Sequence, residues 1–95
     1  MIKVIIKCRV QAGKADDFIA TGSQLAALAM TEPGCVSYQV AQSMQNENVV
    51  FLVEEWADSE KLGAHMAKPY FKELSDLMVA LQDGDADINA CNIIG

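Results

Sequence analysis

Histidine and tryptophan occur once each in this sequence, proline only twice, and the three cysteines stand far apart. One His, with no close Cys pair and no His-x-x-x-His spacing, leaves no recognisable zinc or iron ligand set, so no metal is expected. Cys8, Cys35 and Cys91 are odd in number and set among apolar neighbours, which fits reduced core thiols better than a disulfide framework. Gly-x-Gly-x-x-Gly, Walker and Ser-elbow motifs are missing, so neither a dinucleotide nor a nucleoside triphosphate is indicated.

Positive charge is scarce as well. Seven Lys and Arg against thirteen Asp and Glu leave a formal charge of −6, which repels phosphate backbones and anionic lipid at long range. Nucleic acid and membrane are therefore not expected as partners. Although 52% of the residues are hydrophobic, no apolar run reaches the roughly 18 residues of a membrane-spanning helix. The N-terminus, Met1-Ile2-Lys3-Val4-Ile5-Ile6-Lys7, interrupts its apolar residues with lysines. It does not read as a signal peptide, and a cytoplasmic location is expected.

What is present alternates regularly between strand and helix. Ile2 to Gln11 places Ile2, Val4, Ile6, Cys8 and Val10 on one face and Lys3, Ile5, Lys7, Arg9 and Gln11 on the other, the pattern of a half-buried strand. Asp16 and Asp17 favour the first turn of a helix that runs to about Met30, with Phe18, Ile19, Leu25, Ala26 and Ala29 at helical spacing. Gly22 within it marks a close approach to the sheet. Glu32-Pro33-Gly34 is a turn, a second strand follows to about Met44, and Gln45 to Asn48 is a polar hairpin loop. A third strand covers Val49 to Trp56, then a short helix Ser59 to Met66 capped by Asp58 or Ser59. A longer helix from Pro69 to about Leu81 carries Phe71, Leu74, Leu77, Met78 and Leu81, and Ala86 to Ile94 reads as a final strand.

The order β-α-β-β-α-β predicts an α+β, ferredoxin-like fold in a single domain, residues 1–95. One sheet face lies under the helices. The other mixes Ile5 with Lys3, Lys7 and Arg9, and both parities of the third strand are apolar, which suits a pocket or a subunit contact. A chain this short buries only about two-thirds of its unfolded surface, so pairing with a second copy would help its stability.

Two stretches carry a more specific signal. Glu32-Pro33-Gly34-Cys35-Val36-Ser37-Tyr38 and Glu54-Glu55-Trp56-Ala57-Asp58 through Leu62, His65, Pro69, Tyr70 and Phe71 resemble the antibiotic biosynthesis monooxygenase family. Its members typically read E-P-G-C-x-x-Y, then E-x-W-x-[DS]-x-x-x-L-x-x-H, then Pro and an aromatic. The resemblance implies a dimeric α+β barrel, a homodimer with a cavity in each subunit. It also implies oxidation of electron-rich polyphenols by dioxygen without flavin, metal or haem, so no cofactor is expected and the partner is a small-molecule substrate.

His65 is then the candidate catalytic residue, able to take a proton near neutral pH, against the plainer role of a packed imidazole at a helix end. Trp56 and Glu54 share a parity of the third strand and are candidates for the cavity wall. An inward carboxylate needs a partner, for which Lys7 or Arg9 on a neighbouring strand is a candidate. Tyr70, Phe71, Tyr38 and Asn92 complete the expected substrate contacts, each with simple packing as its alternative; Asn92 alternatively satisfies a sheet edge.

Departures from the family narrow the choice. Quinone-forming members have an Asn on the strand of the Trp, where this chain has Val50, Leu52 and Glu54. Haem-degrading relatives carry an Asn on the first strand, where Lys7 and Cys8 stand, a Trp in place of His65 and a His in place of Ser75. Haem degradation is therefore not expected. Relatives with a pocket His followed by Pro and Tyr isomerise phosphorylated sugar-like signal molecules. Lys7 and Arg9 are the residues that would hold such a phosphate, and a non-catalytic dimeric binder is a third alternative.

Overall fold

The computed structural model describes residues 1–95. Its elements are β1 (Ile2–Arg9), α1 (Ala15–Ala29), β2 (Cys35–Gln42), β3 (Val49–Trp56), α2 (Ser59–Met66), α3 (Pro69–Ala80) and β4 (Asp87–Asn92). All strand pairs are antiparallel and the sheet order is β2-β3-β1-β4. This is the ferredoxin-like arrangement, with α2 and α3 together forming the second crossover.

Strand alternation decides what lies under the helices. Val4 and Cys8 of β1, Val50, Leu52, Glu54 and Trp56 of β3, and Tyr38 of β2 are buried on one face, and cross-strand pairs such as Val4 with Glu54 and Tyr38 with Glu54 keep them together. α1 covers this face with Phe18, Gly22, Leu25 and Ala29. A Cβ on Gly22 would lie 3.2 Å from the end of Met78 and 3.6 Å from Val40, so its lack of a side chain is what lets α1 approach the sheet. From α3 only Leu74 and Met78 are buried. Leu77, one of the apolar residues at helical spacing, is 55% exposed on the outer side of that helix.

The local signals explain the ends of the elements. The Asp58 carboxylate accepts from the Lys61 backbone N–H at 2.8 Å and caps α2. Pro69 opens α3, where its missing N–H is not needed. Three strands are shorter than their sequence pattern. β1 ends at Arg9 because β3 begins opposite it at Val49, and Val10 makes only a single bridge to Gln82. β2 stops at Gln42, opposite Val50, and β4 spans only its pairing with β1 from Asp87 to Asn92.

Candidate functional site

A cavity of about 430 Å³ lies between the sheet and α3. Ile6, Cys8, Leu52 and Tyr38 line it from the sheet, Leu25 from α1, and Phe71, Ser75 and Met78 from α3. The segment from Gln82 to Ile88 borders it on the β4 side. Its charged lining residues are Glu54 and Asp85, both acidic. Such a space accepts an apolar or hydrogen-bond-donating molecule and repels an anionic one.

Glu54 is the polar centre of this wall. It is 4% exposed, and its Oε1 accepts the indole N–H of Trp56 at 2.9 Å. Burial raises its pKa above the ordinary carboxylate value. The Trp56 hydrogen bond, the charge of His65 and a hydrogen bond with Tyr38 oppose that shift without reversing it. Burial likewise pushes the Tyr38 phenol well above its ordinary value, with the Glu54 charge adding to the effect. The Cys8 thiol, pushed up by burial to about 11, stays protonated and unreactive at neutral pH.

His65 sits in the last turn of α2 and is 1% exposed. Its ring packs 4.5 Å from the Trp56 ring and 5.0 Å from Phe71, with Tyr38 and Tyr70 at about 6 Å. Nδ1 lies 2.7 Å from Oε2 of Glu32, and the Tyr70 hydroxyl donates to the same oxygen. The other ring nitrogen, Nε2, is buried without a hydrogen-bond partner. Burial acts to raise the Glu32 pKa, but the hydrogen bonds from His65 and Tyr70 and the charges of His65 and Lys68 outweigh it and hold the carboxyl below its ordinary value.

Gly34 makes this assembly possible. A Cβ there would collide with the Lys61 side chain, and its carbonyl accepts the Ala57 N–H at 2.9 Å. The turn that carries Glu32 is thereby held directly against the start of α2.

Residues 1–77 match the model of the family described as antibiotic biosynthesis monooxygenase. The chain belongs to this family. It is similar to a conserved protein of known structure from Methanosarcina mazei Go1, with 30% identity, a TM-score of 0.91, and 95% of this chain and 89% of that one covered. A structure named antibiotic biosynthesis monooxygenase superposes with a TM-score of 0.92 over the full length of both chains at 24% identity, a likeness of fold. An uncharacterized protein of Synechocystis, sll1783, is 28% identical over 85 residues, 90% of this chain. The chain spans 58% of the length of that relative.

Within this family fold, the expected site residues fall into three groups. Tyr38, Glu54 and Phe71 line the cavity. Trp56, His65 and Tyr70 do not; they form a connected layer joined to the wall through Glu54, Phe71 and Tyr38. Lys7, Arg9 and Asn92 belong to neither. Lys7 and Arg9 have the opposite parity to Cys8 and so lie on the far face of the sheet, where Arg9 pairs with Asp87 at 2.7 Å. The expectation that they neutralise an inward Glu is therefore corrected: Glu54 is satisfied by Trp56, and Glu55, on the far face, accepts from Ser37 at 3.0 Å. Asn92 is exposed at the end of β4, opposite Ile2.

The far face is expected from the sequence to serve as a pocket or a subunit contact; of these, the pocket is found instead on the helix side. Two residues were missed. In the sequence Glu32 stands only as part of a turn and of the E-P-G-C motif, and the pairing of that motif with the His-containing one is the signal that could have revealed the contact. Ser75, noted only for the His that it replaces, lies on the cavity wall. No group of three or more His, Cys, Asp or Glu side chains is placed to hold a metal ion.

Proposed function

We propose that the protein is a cofactor-independent monooxygenase that oxidises a small planar, electron-rich aromatic or quinol-like substrate with dioxygen. The observation that carries this reading is a buried carboxyl, Glu54, in the wall of an otherwise largely apolar cavity, where burial acts to raise its pKa. A base of that kind, shielded from water, suits removal of a proton from an acidic C–H or O–H of a phenolic substrate. The resulting carbanion passes an electron to dioxygen, and recombination gives a hydroperoxide. Loss of water then leaves a carbonyl, so one CH₂ group and one O₂ become one C=O group and one H₂O. In this scheme Glu54 accepts and returns the proton. His65 stands behind it as a positive charge, when protonated, that eases Glu54 ionisation, and Tyr38 and Phe71 wall the substrate plane.

The isomerase of a phosphorylated hydroxyketone loses support in this geometry. Lys7 and Arg9, the cations that would hold the phosphate, are on the other side of the sheet, and the charges that face the cavity are acidic. We place the domain over residues 1–95, because Met78, Gln82, Ala86 and Ile88, beyond the family match, help to build the cavity. We also propose a cytoplasmic homodimer of the α+β barrel type, formed through the far sheet face with its Ile5, Val49, Phe51 and Val53.

The test is oxygen consumption with a panel of hydroquinones and anthrone-type ketones, with the quinone product identified by mass. Turnover is expected to fall about 100- to 10,000-fold in Glu54→Gln if the carboxylate is the general base. Absence of oxygen uptake with every compound that raises the melting temperature would leave the binder in place of the enzyme.

A further inference from the structure

Glu32 has no part in the reaction just described, yet it is the polar partner that the structure gives to His65. It lies in the turn between α1 and β2, with its side chain 10% exposed beside an imidazole that is 1% exposed. Around His65 stand Tyr38 of β2, Trp56 of β3, and Tyr70 and Phe71 of α3. The charged groups that act on the pair are Glu54 from β3 and Lys68 from the α2–α3 connection. One ring nitrogen is bound and the other is buried and free.

The chemistry of that contact fixes the proton. An ionised carboxylate has only acceptor capacity, so an imidazole nitrogen 2.7 Å away must bring an N–H to it. Tyr70 donates to the same oxygen, and its hydroxyl is 3.4 Å from Nδ1. Without Glu32, that hydroxyl would be the remaining polar neighbour of Nδ1, and because it can donate or accept it would no longer dictate which ring nitrogen carries the proton. Tyr70 is compatible with either tautomer, and the carboxylate alone selects one.

We propose that Glu32 is a positioning residue, which holds His65 with its Nδ1 protonated and leaves Nε2 as the atom that gains or loses a proton. The ring that it holds packs 4.5 Å from Trp56, the hydrogen-bond donor to Glu54. The link to turnover rests on the reaction proposed above, whereas the tautomer does not, and the two are tested apart.

His65 is the only histidine, so a two-bond ¹H–¹⁵N spectrum of the full chain contains one imidazole. The wild type should show a proton on Nδ1, Glu32→Leu should lose that preference and populate the Nε2–H tautomer measurably, and Tyr70→Phe should keep the proton on Nδ1. A wild-type imidazole with its proton on Nε2 and a bare Nδ1 overturns the proposal, as does a folded Glu32→Leu that keeps the wild-type preference for Nδ1–H. If Glu32→Leu does not fold, the wild type and Tyr70→Phe decide: a tautomer that flips on loss of the Tyr70 hydroxyl assigns the role to Tyr70 instead. With a confirmed substrate, Glu32→Leu should lower kcat with little change in KM. If no substrate turns over, the reaction is wrong and the spectrum still judges Glu32.

Discussion

Trp56 and Glu54 stand two residues apart on the same face of β3, and the indole N–H of the first donates to Oε1 of the second at 2.9 Å. The strand repeat makes this contact, since residues i and i+2 point the same way. It also gives the only tryptophan two roles, as the ring against His65 and as the donor that holds the cavity carboxyl.

Those roles can be separated by substitution. Trp56→Ala should destabilise the fold by about 3–5 kcal/mol, because it empties a fully buried site. Trp56→Phe should retain a cooperative transition but lose the donor, which moves the Glu54 midpoint further up. A carboxyl titration that gives the same midpoint in Trp56→Phe and wild type would remove the indole from the control of Glu54.

Glu54 also dictates how stability varies with pH. Its folded pKa is raised from the ordinary 4.5, so its contribution is fully present below that value and is lost as pH rises through the folded pKa. Glu32 works in the opposite sense: its folded pKa is lowered, so its contribution is present above 4.5 and lost as pH falls through the folded value. Glu54→Gln should therefore be more stable than wild type at pH 8 and closer to it at pH 4. The gain is about 1.4 kcal/mol for each unit by which the carboxyl is raised. Melting curves for the two proteins that stay parallel across this range would contradict the burial of an ionisable Glu54.

How much of this was legible in the sequence depended on distance along the chain. The α1 stripe of Phe18, Leu25 and Ala29, the Asp58 cap and the close approach at Gly22 are local patterns, and each is found in the structure. The side of the sheet that holds the cavity was not legible, because both parities of β3 are apolar and helix docking alone decides which is covered. The Glu32 contacts were hidden for a related reason: His65 and Tyr70 lie 33 and 38 residues away, and only the turn at Gly34 brings them together.

That turn makes a matched pair of glycine substitutions informative. Gly34→Ala puts a methyl group into the Lys61 side chain and should cost about 1–3 kcal/mol, as overpacking does. It should also loosen the Glu32 contact to His65. Gly63→Ala, within α2 and with nothing within 4 Å of its added Cβ, should instead stabilise by about 0.4–1 kcal/mol. Equal effects of the two changes on denaturant midpoints would mean that α2 does not dock through Gly34.

The far sheet face supplies the test of assembly. Phe51 and Ile5 are on that face, with Phe51 opposite Lys7 and Ile5 opposite Val53 in the β1–β3 pairing. Sedimentation equilibrium at micromolar concentration is expected to give twice the 10.3 kDa chain mass, and Phe51→Asp to halve it, since a buried unpaired charge at the centre of an interface is strongly unfavourable. A native monomer in the unsubstituted protein would end the barrel proposal.

The last expectation concerns the size of the cavity, set from the helix side by Ser75. This residue lies on α3 one turn after Phe71 and one before Met78, and all three line the same space of about 430 Å³. Its small side chain leaves room that a larger one would fill. Ser75→Leu should keep the melting temperature or raise it, because it adds apolar volume to a partly open site, and should weaken binding of a neutral bicyclic quinone such as menadione at least tenfold. Quenching of the single tryptophan, two residues from Glu54, provides the measurement. Leu77→Ser changes the same helix on its outer side, where Leu77 is 55% exposed, and should leave that binding unaltered. If Ser75→Leu binds menadione as tightly as the wild type while Leu77→Ser does not, the ligand enters from the other side of α3 and the cavity under the sheet is not its site.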